Sequence, residues 1–281
     1  MRDGGVCLIT GATSGIGKAA AISLAQQGMM VAIVARNREK GEGVLQEVSG
    51  NTGNSRAELF IADLSSFSEV RRLAQEVRAR YPSIDVLVNN AGGIFGARTL
   101  TRDGIELTFA LNHLSYFLLT NLLLDPLKTA PQGRVVSVSS QAHQFGAMAF
   151  DDPGYEKKYN AMRAYAQSKL ANILFTYELA RRLKGTNVTA NTLHPGSVRS
   201  NFGRDLPGIG GFFFRNFGTF MRSPEKAAVT VTWLALAEEL AGVTGKYFLD
   251  KKEIRSSKIS YDAGVARPLW ELSQEMTGIA T

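Results

Sequence analysis

The chain has 281 residues, of which 44% are hydrophobic and 20% charged, a balance typical of a globular protein with a sizeable core. No apolar run reaches the roughly 20 residues that a membrane-spanning helix needs, and the single cysteine, Cys7, excludes intrachain disulfides. The net charge of +7 comes from scattered Lys and Arg residues, whereas a nucleic-acid footprint is clustered, so we expect no nucleic-acid partner. The three histidines are too dispersed for a metal site.

Short β-rich runs alternate with longer helical patterns along the chain, and some runs are almost entirely apolar. Such runs are typical of strands covered by helices on both faces. The alternation predicts an α/β fold: one domain over residues 1–281 with a doubly wound, Rossmann-type parallel sheet of about seven strands. The predicted strands are Val6–Thr10, Met30–Ala35, Glu58–Ala62, Val86–Asn89, Arg134–Val138, Val188–Leu193 and Lys246–Leu249. The predicted helices are Ile16–Gln27, Arg38–Val48, Phe67–Tyr81, Glu106–Lys128, Tyr159–Leu183 and Pro224–Leu240.

A glycine-rich turn links the first predicted strand to the first predicted helix. Gly11 allows a tight turn, Gly15 allows a pyrophosphate to approach the backbone, and Gly17 allows the helix to pack closely on the sheet. The free N–H groups of the helix start favour phosphate. The spacing differs from the general dinucleotide fingerprint, and a purely structural turn is the alternative. We expect this segment to bind a dinucleotide through Gly11, Thr13, Ser14, Gly15, Ile16 and Gly17.

Basic residues follow the second predicted strand, where a cofactor with a free ribose 2′-hydroxyl usually meets an acidic one. Arg36, Arg38 and Lys40 stand there instead, and a guanidinium can bind a 2′-phosphate through two hydrogen bonds. This pattern favours NADP(H), with a merely solvated helix start as the alternative. At the end of the third strand, before Leu64, Asp63 is expected either to contact the adenine or to cap the following helix.

A tyrosine and a lysine lie four residues apart within the fifth predicted helix. At this spacing Tyr165 and Lys169 share one helix face. A free phenol has a pKa of about 10, and a neighbouring ammonium lowers that pKa toward neutrality. The pair therefore predicts a general acid/base that exchanges a proton with a substrate oxygen.

Together with further motifs, this pair resembles the short-chain dehydrogenase/reductase family. The resemblance covers about Val6 to Ser200, and its motifs appear in the family's order: Thr10–Gly17, Asn89–Gly92, Asn112, Ser140, Tyr165 with Lys169, and Pro195–Gly196. It implies that Tyr165 is the general acid/base and that Lys169 binds the nicotinamide ribose. It also implies that Ser140 orients the substrate oxygen and that Asn112 positions a water. Ser139 is the adjacent candidate for the serine role.

The same resemblance adds residues to the expected cofactor site. It implies that the turn after the fourth strand borders the cofactor and that the segment after the sixth strand lies under the nicotinamide. The residues concerned, besides Asp63 and Leu64, are Asn90, Ala91, Gly92, Pro195, Gly196, Val198 and Ser200.

The wider sequence is similar to the retinol-dehydrogenase-like branch of the family. Leu170–Phe175, Leu179–Leu183 and His194–Gly196 carry this likeness, as does the long gap between Ser140 and Tyr165. It implies NADP(H) and lipophilic aldehydes, ketones, alcohols or retinoid-like compounds as substrates. Many members have an N-terminal membrane anchor. No such stretch begins this sequence, so we expect a cytoplasmic protein, with peripheral membrane contact as an alternative.

An aromatic and glycine-rich segment at about 198–222 predicts a mobile lid over an apolar pocket. A helix packed on the core, an oligomer contact and a membrane contact are the alternatives. The long helices around Leu107–Leu127 and Tyr159–Leu183 are the expected surfaces of a homo-oligomer. The leading hypothesis is an NADP(H)-dependent oxidoreductase. The second is a catalytically silent dinucleotide sensor or scaffold, against which the complete set of four catalytic residues argues.

Overall fold

The structure is a computed structural model that describes residues 4–198 and 222–279. These residues form one eight-stranded sheet in the order β3-β2-β1-β4-β5-β6-β7-β8. Every neighbouring pair is parallel except β7 and β8. The strands are β1 Val6–Thr10, β2 Met30–Ala35, β3 Ala57–Ile61, β4 Val86–Asn89, β5 Gly133–Val138, β6 Val188–Leu193, β7 Tyr247–Leu249 and β8 Lys252–Glu253.

Helices cover both faces of this sheet. They are α1 Gly15–Gln26, α2 Arg38–Thr52, α3 Phe67–Arg80, α4 Leu107–Phe109, α5 Ser115–Leu122, α6 Leu124–Thr129, α7 Ala161–Arg182, α8 Pro224–Leu236 and α9 Ala263–Thr277. One core cluster joins α3, α5, α7 and α9 to the sheet, and a second joins α1, α2 and α8 to its other face. The predicted doubly wound α/β fold is therefore confirmed.

Strands β1 and β4 are neighbours in the middle of the sheet. From β1 the chain adds strands toward one edge of the sheet, and from β4 it adds them toward the other, so the strand order reverses between these two strands. In such sheets, ligands bind in the crevice beyond the carboxyl ends of the strands at this reversal. The glycine turn leaves β1 there, Asn90 follows β4, and Ser139 follows β5. The fold thus brings the predicted motifs to one edge.

The structure differs from the prediction in the middle of the chain. The expected single helix Glu106–Lys128 is divided, because a π-helical turn, Ala110–Leu114, separates α4 from α5, and α6 begins after a further break. A short 3-10 helix, Gln141–Phe145, follows β5. Strand β8 and helix α9 were not predicted.

Helix α9 packs on α5 and α7, which belong to the long helices expected to form an oligomer contact. Trp270 of α9 packs edge-on against Phe117 of α5 and stacks on Phe175 of α7, with ring centroids 4.9 and 5.9 Å apart. In the expected oligomer helices, residues 115–120 and 166–180 are all buried within the chain. A homo-oligomer therefore stays a prediction, and its contacts would have to involve other surfaces.

The expected lid at about 198–222 lies outside the described residues, apart from Val198 and Arg222 at its two ends. Its role as a lid, an oligomer contact or a membrane contact stays a prediction. None of the helices formed by residues 4–198 and 222–279 combines the length and the apolarity needed to cross a bilayer.

Candidate active site

The glycine turn after β1 is held by polar contacts with the turn after β4. Thr10 Oγ1 accepts hydrogen bonds from the backbone N–H groups of Asn90 and Ala91, at 2.9 and 3.0 Å. Asn90 Nδ2 donates to the carbonyls of Thr10 and Gly11 at 2.8 and 3.1 Å. These bonds fix the two turns as one rigid edge.

Each glycine of the turn has a specific reason in the structure. Gly11 has φ 67° and Gly15 has φ 54°, values that favour glycine. A Cβ on Gly11 would lie only 2.6 Å from the Ala91 Cα. A Cβ on Gly17 would collide with the Gly11 carbonyl and the Asn90 amide. Gly17 thus lets the start of α1 pack closely on the glycine turn after β1 and on the turn after β4.

The start of α1 is free to receive an anion. Its N-cap residue, Ser14, is exposed and uses no side-chain capping bond, and the first turn carries no acidic residue. Thr13 and Ile16 are half-buried beside it. Because the first N–H groups of a helix lack internal partners and carry partial positive charge, this end suits a diphosphate.

The three basic residues after β2 are all exposed but differ in their contacts. Arg38 forms an ion pair with Glu42, with Nη1 and Oε1 3.5 Å apart. The Lys40 backbone N–H donates to Asn37 Oδ1, which caps α2. No ion pair of Arg36 is seen within residues 4–198 and 222–279. Among the three, Arg38 is therefore the one held by a carboxylate within the described residues.

Asp63 lies in a turn before α3. Its Oδ1 accepts from the backbone N–H of Ser65 at 3.0 Å and from the Ser65 hydroxyl at 2.7 Å. The first N–H of α3, that of Phe67, is instead capped by Asp103 at 2.9 Å. Asp63 thus orders the turn and does not cap the helix directly. The Leu64 side chain is buried in the core, so only its backbone can face a cofactor.

Tyr165, Ser140 and Lys169 meet at the carboxyl end of β5. The Ser140 hydroxyl forms a hydrogen bond with the Tyr165 phenol. Lys169 is buried, and its Nζ donates to the Val138 carbonyl at 3.1 Å. The Ser139 hydroxyl is also buried and donates to the Lys169 carbonyl at 2.7 Å. Of the two candidate serines, Ser140 is the one that contacts the phenol.

The pKa values of the pair are governed by burial. Burial raises the pKa of Tyr165 to about 12, while the hydrogen bond from Ser140 acts to lower it. Burial also lowers the pKa of Lys169 to about 7. The sequence argument expected the ammonium to lower the pKa of the phenol, and that effect stays a prediction.

Asn112 lies in the π-helical turn and contacts the loop after β4. Its Oδ1 accepts from the Gly93 N–H and its Nδ2 donates to the Gly93 carbonyl, both at 2.8 Å. Its Nδ2 also lies 3.0 Å from Ser168 Oγ. A Cβ on Gly92 would lie 3.0 Å from Asn112 Oδ1 and 3.6 Å from Lys169 Nζ. Asn112 and Lys169 thus both lie beside the Gly92 backbone, while Ser140 and Lys169 lie beside Tyr165. The four predicted catalytic residues therefore surround one small region.

The segment after β6 forms another border of the site. Gly196 has φ 80°, and its N–H donates to His194 Nδ1 at 3.1 Å, next to half-buried Pro195. Val198 pairs with Arg222 in a parallel bridge. Ser200 lies outside the described residues, so its predicted role is a proposal only.

Two groups near this site were not expected from the sequence. The Nδ1 of His143 donates to the Ser140 carbonyl at 2.7 Å, and its Nε2 accepts from the Ser257 N–H at 3.0 Å. Tyr116 was not considered at all, although its ring centroid lies 5.8 Å from Lys169 Nζ. Its position four residues after Asn112 is the only signal in the sequence.

The residues present fit a nicotinamide dinucleotide. The uncapped helix start suits the diphosphate, and the Gly92 backbone leaves a cradle that a Cβ would fill beside Lys169. Lys169 has three N–H donors, and one bond to Val138 accounts for one of them. A ribose hydroxyl is a suitable partner for the others. Within the described part of the chain, no cluster of His, Cys, Asp and Glu could hold a metal.

Comparison with known proteins gives the same answer for the whole chain. The family model described as short chain dehydrogenase matches residues 5–207. Retinol dehydrogenase 13 of Homo sapiens is 42% identical, over 98% of this chain and 85% of that protein. Retinol dehydrogenase 14 of Mus musculus is 43% identical, over 99% of this chain and 87% of that protein.

Solved structures agree on the fold. A crystal structure of an uncharacterized protein from Mycobacterium paratuberculosis has a TM-score of 0.79 and 33% identity, covering 97% of this chain and 93% of that one. A short chain dehydrogenase from Escherichia coli CFT073, complexed with NADPH, has a TM-score of 0.70 and 24% identity, covering 88% and 97% of the two chains. The chain is an oxidoreductase that acts on CH–OH groups with a nicotinamide dinucleotide, and it belongs to the short-chain dehydrogenase/reductase family, within its retinol-dehydrogenase-like branch.

Proposed function

We propose that the protein is an NADP(H)-dependent oxidoreductase that interconverts a lipophilic alcohol with its aldehyde or ketone. The observation that carries the proposal is the meeting of Tyr165, Ser140 and Lys169 beside the backbone of Gly92, where the strands end. The bound nicotinamide supplies or accepts the hydride at the substrate carbon. The chain itself must bind the substrate oxygen and move one proton.

Tyr165 is the group that moves this proton. In the reducing direction its hydroxyl gives the proton to the substrate oxygen, and in the oxidising direction the phenolate takes it back. Ser140, already bonded to the phenol, offers a second contact to the same oxygen and orients it. A pKa of about 12 for Tyr165 suits a donor more than a base, so oxidation needs the positive charge of Lys169 and of the oxidised cofactor nearby.

The preference for NADP(H) rests on Arg36. It is exposed directly after β2, at the position where a 2′-phosphate is met in folds of this type. Its guanidinium is not held by an ion pair within residues 4–198 and 222–279, so it can turn toward a phosphate at little cost. Arg38 and Lys40 lie on the following turn and add to the positive field.

A lipophilic substrate is supported by the names of the relatives, which are retinol dehydrogenases, and by apolar side chains near the catalytic serine. Phe145 lies five residues after Ser140 and is 84% exposed. Met148 and Phe150 follow it and are half-buried. Met148 and Phe150 pack against the core, so the large apolar side chains exposed on the segment between Ser140 and Tyr165 are Phe145 and Met162.

The test is NADPH consumption with aldehydes and ketones of rising chain length, retinal included. We expect kcat/KM to rise with chain length. Tyr165→Phe should reduce turnover by about 10²–10⁴-fold and leave NADPH binding within about twofold of the wild type. Tyr81→Phe is the matched control, because Tyr81 bonds to Glu58 away from the site and should keep normal turnover. Near-normal turnover of Tyr165→Phe would contradict the proposal.

A further inference from the structure

Tyr116 lies behind the catalytic lysine, on the core side of the site. It is 1% exposed and stands on α5, one turn after Asn112. Helical side chains lean toward the N-terminus of their helix, so its ring covers the turn that carries Asn112. Lys169 Nζ lies 5.8 Å from the Tyr116 ring centroid and 5.7 Å from that of Tyr165. The ammonium therefore lies over both phenol rings at nearly equal distances.

The hydroxyl of Tyr116 does not help to hold the described fold together through a direct hydrogen bond. Among the described residues it has no hydrogen-bond partner, although it is buried. Other tyrosines are paired: Tyr81 bonds to Glu58, Tyr159 to the Phe95 carbonyl and Tyr177 to Ser256. A buried hydroxyl without a partner destabilises a protein, and a phenylalanine would fill the same space without this penalty.

Two polar side chains lie near this phenol, Tyr165 and Lys169, and Lys169 is the one with N–H donors to spare. Its ammonium has three donors, and the Val138 carbonyl accepts one of them at 3.1 Å. We propose that Tyr116 is a positioning residue for Lys169, with its ring face and, through one water molecule, its hydroxyl oxygen binding the ammonium from the core side. The effect of Tyr116 on catalysis rests on the proposed function, in which Lys169 acts on the Tyr165 phenol and on the cofactor.

The surroundings of Lys169 make the effect measurable. The titratable groups shown beside it are Tyr165 on α7 and Tyr116 on α5, and β5 contributes the Val138 carbonyl. Burial alone lowers the pKa of Lys169, and no carboxylate opposes it. A phenol oxygen and a ring face both stabilise the charged form, so their loss should lower this pKa further.

The experiment follows the lysine side chains of the cofactor-free protein by NMR, with ¹³C-labelled lysine, between pH 5.5 and 9. Every other lysine in residues 4–198 and 222–279 is exposed or half-buried, so Lys169 should titrate apart from them. Its signal is assigned with Lys169→Met. We expect Tyr116→Phe to lower the pKa of Lys169 by ~0.5–1 unit and Tyr116→Leu to lower it further. An unchanged titration in Tyr116→Phe would overturn the proposal.

Thermal unfolding separates positioning from a structural role. Tyr116→Phe should keep a Tm close to that of the wild type, because the hydroxyl that it removes has no direct hydrogen-bond partner among the described residues. Tyr177→Phe is the matched control on α7: it removes a paired hydroxyl, so its Tm should fall while the titration of Lys169 stays unchanged. A fall of Tm in Tyr116→Phe as large as that in Tyr177→Phe would show that the hydroxyl is bonded directly within the fold and would overturn the proposal.

The consequence for activity is a shift in pH dependence. If the charged lysine is the active form, the alkaline fall of kcat/KM should begin at a lower pH in Tyr116→Phe, by the same interval as the NMR shift. Because the titration needs no cofactor and no turnover, it tests Tyr116 even if Tyr165→Phe contradicts the proposed function. Conversely, if the wild-type enzyme is active but the pKa of Lys169 is unchanged in Tyr116→Phe, only the role of Tyr116 is contradicted.

Discussion

Asn112 and Gly93 form a closed pair of hydrogen bonds, in which the side-chain amide of Asn112 binds both the N–H and the carbonyl of Gly93 at 2.8 Å. This pair joins the π-helical turn to the loop after β4. It thereby fixes the distance between the helix that carries Asn112 and the backbone beside Lys169.

Replacing Asn112 by alanine should weaken both the fold and the chemistry. Two bonds to Gly93 and one to Ser168 would be lost, and net values of about 1 kcal/mol each give about 2–3 kcal/mol of unfolding free energy. We expect kcat to fall at least tenfold with a smaller change in the KM of the cofactor. Urea unfolding and steady-state kinetics measure the two effects. Asn121→Ala removes one partly buried bond to the Phe117 carbonyl and should leave kcat unchanged. A stable, fully active Asn112→Ala protein would contradict the role of the pair.

Arg36 should decide between the two nicotinamide cofactors. Arg36→Asp replaces a cation that can bind the 2′-phosphate with an anion that repels it and suits a free ribose hydroxyl. We expect the KM for NADPH to rise about 10–100-fold and the KM for NADH to stay level or fall. Arg38→Ala is the control with a smaller expected loss, because Arg38 is already paired with Glu42. Equal losses for both cofactors would show that Arg36 does not contact the phosphate.

Gly17 and Gly43 offer opposite outcomes for the same substitution. Gly17→Ala should collapse the turn, since its Cβ would meet the Gly11 carbonyl and the Asn90 amide, and NADPH binding should be lost. Gly43 lies within α2 with nothing near the position of a Cβ. Gly43→Ala should therefore stabilise the protein by about 0.5–1 kcal/mol. Calorimetry and NADPH fluorescence would measure both, and tight cofactor binding by Gly17→Ala would argue against the tight turn.

The first seven strands could be predicted to within one residue because continuous apolar runs between turns leave few alternatives. The pairing of Tyr165 with Lys169 could be predicted from their helical spacing, whereas Asn112 and Ser140 could be predicted only from the family resemblance. The π-helical turn could not, since its stability comes from the tertiary bonds between Asn112 and Gly93 rather than from local sequence. Helix α9 was missed because it contains Pro268 and is held by packing of Trp270 on α5 and α7. The pKa values of the site were also hidden, because burial of Tyr165 and Lys169 exists only in the fold.

His113 should make the protein sensitive to acid. It is fully buried between Asn172 on α7 and Ser273 on α9, and burial lowers its pKa from 6.5 to about 4. The unfolded chain therefore takes up a proton between about pH 6.5 and 4 that the folded chain refuses. The corresponding stability is complete above pH 6.5 and is lost as the pH falls toward 4, by about 2–3 kcal/mol.

The variant that tests this is His113→Asn, which keeps a polar side chain but cannot titrate. At pH 7 it should be less stable than the wild type, because contacts with Ser273 and Phe109 are weakened. Between pH 6.5 and 4 its unfolding free energy should fall less steeply. The pKa values of His143 and His194 are also lowered by burial, but both residues are present in the two proteins, so the difference between the two urea-derived curves isolates His113. Parallel curves would contradict this prediction, because they would mean that His113 is protonated in the native state. Asn172 would then accept a hydrogen bond from a charged imidazole and would be the next residue to replace.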